Sequence, residues 1–462
     1  MVALRTIVDP LPARDGSPAF SPQIWMSLVG SIGFGMASAA LGYLSYALSH
    51  SLIVVLIVSS VRVLPSAVLI RPVGQLLSRY DIRIVMVCAR SGFALVFIAA
   101  AFITYQGKSG VIALIVVALL WGLLSAVSQP GNGRLIGLYV PKSEYDVATG
   151  AFASANGLGN VVGAALGGVL LMHTSTFVTF LVMGLLYVPA ALIPLVLPRR
   201  KAGPITDHGM GQSVRASMSL VRVTPVLLAA VVCTIVLELF AWPILALLPR
   251  MAAVVTPNAA VFSAVLSGYF LGSALVHPVV RSVRRRKGYG PLLHATLVVL
   301  AIVVIVSALA GIIPGIGIQV ALLTVAMVFF GLLIGLATSI SMAAVIFGAP
   351  SHSAPSVAAL YWAVIGGLGP VGALAFILLA QVVVVWWSVA VCAVLLLVVS
   401  VVLWARGSFR EVSAINRDAL CPLCAESIHL RIPHVRLWSD SSLLADGPNL
   451  MAREIAGTAP RQ

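Results

Sequence analysis

Of the 13 acidic residues in this 462-residue chain, only Glu238 falls inside a long apolar stretch. An ionisable group within a bilayer-crossing segment is costly and is usually kept for function. Low dielectric disfavours the charged form of a carboxyl. Glu238 could therefore take up and release a proton as its surroundings change. It could instead contact a cationic ligand, form an ion pair or donate to a neighbouring helix. Arg62 lies mid-way along another apolar stretch. Its charge is not readily lost, so it should face a cavity, an acid such as Glu238, or an anionic group of a ligand. Arg90 is expected to snorkel to the nearer membrane face or to pair near Asp81. Arg71 reads as an anchor, and His277, near the end of its stretch, is a weaker coupling candidate. Trp121, Phe240, Trp242, Tyr269, Tyr361 and Trp362 could line a cavity for aromatic or lipophilic molecules, although single aromatics also serve as packing or interface residues. Pro243 follows Glu238 closely and could kink the segment that carries it.

The elements that position these residues are long and apolar. Sixty per cent of the chain is hydrophobic and 9% charged, and the mean hydropathy is +1.10. A soluble domain is nearer half apolar and a quarter charged. This excludes a water-soluble enzyme, a disordered chain and a nucleic-acid binder. Twelve stretches are long enough to cross a bilayer as helices: 23–47, 51–74, 84–105, 110–130, 147–171, 176–198, 224–248, 258–280, 290–313, 317–342, 355–380 and 382–404. No cleavable leader is expected, because residues 1–20 are polar and contain Asp9 and Asp15. The predicted class is an all-α membrane protein.

Charge sets the expected orientation. Of 28 Lys and Arg, 23 fall in segments that share one side if the N-terminus is cytoplasmic. Lys108 and Arg250 fall on the other side, and Arg62, Arg71 and Arg90 lie within predicted spans. Cytoplasmic segments carry the excess of Lys and Arg, so both termini are expected in the cytoplasm. The same asymmetry accounts for the +15 balance without nucleic acid.

The basic segment 199–223, with a short amphipathic stretch near 213–222, divides the spans six and six. The expected organisation is an N-terminal segment 1–22, a six-helix half 23–198, a linker 199–223, a second half 224–404 and a cytoplasmic tail 405–462. The halves resemble one another at an offset of 209: Trp121-Gly122-Leu123-Leu124 against Phe330-Gly331-Leu332-Leu333, Pro141 against Pro350, and Gly163 against Gly372. Between spans two and three runs Gly74-Gln-Leu-Leu-Ser78-Arg79-Tyr80-Asp81-Ile-Arg83. Span five carries Gly150, Gly159, Gly163-Ala164 and Gly167-Gly168. Gly159, Gly163 and Gly167 share one face, a small-residue stripe that lets helices approach closely. Span eleven has a partial echo, Gly366-Gly367-Leu-Gly369-Pro370-Val-Gly372.

These motifs and the repeat resemble the major facilitator superfamily over roughly residues 20–405, and within it the branch of drug and siderophore exporters (enterobactin-exporter-like and macrolide-efflux-like). The resemblance implies twelve transmembrane helices in two pseudo-symmetric halves, with a substrate site between them. It implies a cytoplasmic gate at Gly74, Arg79, Asp81 and Arg83, although Ser78 stands where the family has Asp. It also implies an antiporter motif in span five, with Ala164 where the family has Pro. The turn from Gly272 through Arg281 to Lys287 is a degenerate second copy, equally readable as an anchor.

The remaining features suggest no chemistry of their own. Cys421, Cys424, His429 and His434 offer zinc-type ligands in the tail, but their spacing is too short for a zinc finger, so no metal and no cofactor are expected. Cys88, Cys233 and Cys392 lie in apolar spans and read as inert. Trp386-Trp387 reads as an aromatic belt. No phosphate-binding Gly-x4-Gly-Lys-Ser/Thr loop is present. The expected protein is a non-enzymatic, monomeric secondary transporter of the bacterial inner membrane. It would export an amphipathic small molecule in exchange for protons, with membrane lipid as its surroundings. Lysophospholipid translocation, and a transport-inactive scaffold or sensor acting through the tail, are the alternatives.

Overall fold

The computed structural model describes residues 21–107, 110–140, 145–197, 214–283, 289–349 and 354–405. The expectations placed on the tail (Cys421, Cys424, His429, His434) and on most of the linker lie outside these residues. Among the described residues the chain is helical, and eleven helices are long and apolar enough to cross a bilayer.

Span one is Ser21–Ser49, span three Ile82–Tyr105, span four Val111–Tyr139, span five Tyr145–His173 and span six Thr176–Val196. A short helix, Val214–Val223, stands where the amphipathic stretch was expected. Span seven runs from Pro225 to Val255, spans nine and ten are Tyr289–Leu309 and Ile316–Gly348, and spans eleven and twelve are Ala354–Val382 and Val385–Ala405.

Two predicted spans are divided. Span two is Leu52–Val68 followed, after Leu69, by the amphipathic Ile70–Arg79. Span eight is Ala259–Ala274 followed, after Leu275, by Val276–Val283. In each, the second piece is where the apolar run gives way to basic residues. The breaks fall 206 residues apart, close to the sequence offset.

Packing repeats as well. Span one packs on span five, two on four and three on six; span seven packs on eleven, eight on ten and nine on twelve. Between the halves, span five meets span eight and span two meets span eleven. The repeated Gly122 and Gly331 explain part of this. A Cβ on Gly122 would strike the backbone of Arg62, and one on Gly331 the backbone of Tyr269. Glycine at each lets spans four and ten lie directly on spans two and eight. Arg62 and Tyr269 are themselves 207 residues apart, so they occupy nearly equivalent positions in the two halves.

Candidate functional site

Glu238 stands in a break of helical geometry. Residues Leu237–Ala241 form a single π turn within span seven, and the Trp242 N–H bonds to the Leu237 carbonyl. Pro243 supplies a cause: it has no N–H to give the carbonyl four residues back and cannot continue an α-ladder there. The Glu238 side chain is 5% exposed. Its Oε2 has no hydrogen-bond partner. It lies against Gly369 of span eleven, where a Cβ would stand 2.7 Å from Oε2 and 3.0 Å from Trp242 Cδ1. Gly372, one turn on, faces the carbonyls of Glu238 and Leu239. The glycine run of span eleven is thus the bed on which the π turn rests.

Trp242, four residues after Glu238, also lines a cavity of about 260 Å³ between the halves. Arg62, Phe34 and Trp121 enter it from the first half, and Tyr269, Phe262 and Phe270 from the second. The Arg62 guanidinium lies 4.8 Å from the Trp121 ring centroid and 5.7 Å from that of Phe34. Phe34 and Trp121 meet edge to face at 5.1 Å. A cation over these π-faces is stabilised without losing its charge. Among the described residues no carboxylate pairs with Arg62. Tyr269 lies within electrostatic range of both Arg62 and Glu238. The site therefore combines a fixed cation on one half, a buried acid beside the other, and aromatic walls between.

Several predicted residues stand elsewhere. Phe240 does not line this cavity; it packs at 6.3 Å on Phe376 of span eleven, because positions two apart on a helix point in different directions. Tyr361 is buried among Val221, Leu227 and Val357, and its hydroxyl donates to the Thr338 carbonyl at 3.3 Å. Arg90 neither snorkels nor pairs with Asp81. It is 4% exposed and donates from Nη2 to Asn132 Oδ1 at 3.2 Å and from Nη1 to the Met26 carbonyl at 3.4 Å. Span three packs on spans six and four, and Arg90 reaches from it to the backbone of span one. Trp386 is buried and packs over Gly311, while Trp387 is exposed.

The residues of the 74–83 turn act within their own half. Asp81 caps span three, accepting from the Arg83 N–H at 3.0 Å. The Arg83 side chain donates to the carbonyls of Pro194 (3.2 Å) and Leu195 (3.1 Å) at the end of span six, where unpaired carbonyls attract a cation. Gly74 and Arg79 lie on the short helix Ile70–Arg79. The glycines of span five divide between two neighbours. Gly159, Gly163 and Gly167 face Leu28, Ile32 and Met36 of span one, and Gly168 faces Ser263 of span eight. Gly150 is near the start of the same helix. Gly35 of span one returns the contact, since a Cβ there would strike the Asn160 carbonyl.

Sequence reasoning missed three features: the seat of Glu238 on Gly369, the part played by Phe34, and the burial of Arg90. Glycines flanking Pro370 were the available signal for the first.

A search of curated proteins finds no significant relative. Many solved structures share the fold, two of them as follows. A crystal structure of a mutant nucleoside transporter NupG aligns with a TM-score of 0.64 and 12% identity over 84% of this chain and 100% of that one. A bacterial homologue of the human lysosomal transporter Spinster, inward-facing and unoccupied, aligns with a TM-score of 0.56 and 12% identity over 85% and 96%. Residues 24–373 match the family model of the Major Facilitator Superfamily. With that match over most of its length, the chain belongs to the Major Facilitator Superfamily of membrane transporters.

Proposed function

We propose that this transporter exports an amphipathic small molecule, of the drug or siderophore-like class, from the bacterial cytoplasm in exchange for protons. In this reading it lies in the inner membrane with both termini cytoplasmic. Its halves, 23–198 and 224–404, rock about the central cavity to give alternating access. Glu238 is the proton carrier. Arg62, Trp121, Trp242 and Tyr269 receive the substrate.

The observation that carries the reading is the placement of Glu238. The sole acid of the apolar spans is buried, has an unpartnered oxygen, and sits in a π turn four residues before Trp242, which lines the cavity. Among the described residues no cation holds it as an ion pair. A carboxyl so placed can exchange a proton when the cavity opens to water on either side. The aromatic lining suits a lipophilic body, and the span-five glycines permit the close helix contact that a moving interface needs.

The test is efflux of a panel of lipophilic dyes from cells lacking their main exporters. Wild type should extrude at least one dye, and extrusion should stop when the proton gradient is collapsed. Glu238→Gln, expressed at the same level, should not extrude it. Gradient-dependent extrusion that survives Glu238→Gln would remove Glu238 as the carrier, and extrusion that is indifferent to the gradient would remove proton exchange.

A further inference from the structure

A second cavity, of about 210 Å³, lies wholly within the first half and shares only Phe34 with the central one. Its walls are unlike those of the central cavity. Ser27 and Ser31 of span one both donate to Asn156 Oδ1 of span five, Ser27 at 2.7 Å. Asn132 and Gln129 come from span four, Asn160 from span five, and Arg90 from span three. Gly30 of span one is part of the build: a Cβ there would strike Nη1 of Arg90, so its absence lets the guanidinium lie on the helix backbone.

This guanidinium is the anomaly. It is buried, and its hydrogen-bond partners are a neutral amide and a backbone carbonyl. Its Nε–H has no partner, and neither does Asn160 Oδ1. Among the described residues no carboxylate approaches it. Arginine keeps its charge in such a site, and an uncompensated buried charge costs several kcal/mol. A planar donor fork of this kind matches an oxyanion bidentately. Hydroxyls and side-chain amides around it can supply further donors, and the free Asn160 oxygen can accept from a ligand hydroxyl or amide.

We propose that this cavity is the site for an anionic oxygen group, a carboxylate or phosphate, of the molecule that the protein carries. The group would lie on Arg90, Asn132 and the Ser27–Ser31–Asn156 cluster. The apolar body would pass Phe34 into the aromatic cavity at Arg62 and Trp121. The assignment narrows the substrate of the export reading to amphipathic anions and rests on that reading only for the step of transport.

The experiment measures equilibrium binding of 1-naphthaleneacetate and its uncharged amide, 1-naphthaleneacetamide, to the full chain in phosphatidylcholine nanodiscs, with empty discs as blank. Wild type should bind the acid more tightly by roughly 10- to 100-fold, the range expected for hydrogen bonding to a charged group. Arg90→Gln should abolish the preference and leave amide binding in place. Gly30→Ala, which keeps the charge but displaces the guanidinium, should reduce it. Equal affinity for acid and amide in wild type, or no binding of either at millimolar concentration, overturns the proposal. So does a preference that follows Arg62→Gln and survives Arg90→Gln. Discs containing phosphatidylglycerol separate the sources of the oxyanion: competition by that lipid would overturn a carried substrate in favour of a bound headgroup, and its absence supports the substrate. Binding needs no proton gradient. A protein that prefers the acid but exports no dye therefore fails the export reading alone.

Discussion

The carboxyl of Glu238 in span seven rests on Gly369 of span eleven, in space that even a methyl group would fill. The buried acid and the indole of Trp242 both border this glycine, and one carboxyl oxygen is left unpartnered. Span eleven also meets span two of the other half, so a movement of the halves acts on the helix against which the acid lies.

Gly369→Ala is therefore expected to displace the carboxyl and to lower dye extrusion while the protein still folds. Overpacking of this kind costs about 1–3 kcal/mol, which a shift in thermal unfolding in detergent would register. Extrusion at the wild-type rate would show that the carboxyl tolerates displacement and that its seat is irrelevant to transport.

The contact between spans one and five makes a second expectation. Gly163 faces the Ile32 backbone, and Gly35 faces Asn160. Gly163→Ala and Gly35→Ala should each destabilise by about 1–3 kcal/mol. Because both substitutions push the same helices apart, the double variant should lose less than the two losses added together. Thermal unfolding of the four proteins in the cycle measures this.

Arg62 and Trp121 should be energetically coupled across the cavity wall. Arg62→Lys keeps the charge but loses the flat guanidinium, and Trp121→Leu loses the ring. A double-mutant cycle on thermal stability should return a coupling of about 0.5–2 kcal/mol. A coupling near zero would mean that the two merely lie close together.

The 74–83 turn should contribute to stability more than to gating. Asp81→Ala removes a helix cap and should cost about 1 kcal/mol. Arg83→Ala frees two carbonyls at the end of span six and should have a similar effect. Both variants should extrude dye at rates near wild type once expression is matched. Loss of extrusion with unchanged thermal stability would instead support the latch that the family resemblance implies.

How much of this could be read from residues alone depended on whether the signal was local. Span positions follow from runs of apolar residues, and the charge asymmetry from counting. Glu238 stood out because it is the single acid in those runs. The Gly122 and Gly331 repeat was visible as a repeat, but its meaning, backbone contact on Arg62 and Tyr269, needed the packing of spans four and ten. Arg90 was misread because burial and snorkelling differ only in which way a helix faces, and span three turns that residue inward onto Asn132. Phe240 was misplaced for a related reason, since it sits inside a π turn whose position the proline suggested but did not settle. The Gly369 seat depends on spans 131 residues apart in sequence, which no local pattern encodes.

The most direct test of the account uses purified protein in proteoliposomes and the dye that wild type extrudes best. Glu238→Gln fixes an uncharged side chain of the same shape at the proposed proton site. The account predicts that this variant still exchanges dye for dye across the membrane but no longer accumulates dye against its gradient when a pH difference is imposed, whereas wild type does both. Accumulation driven by the pH difference in Glu238→Gln would contradict it.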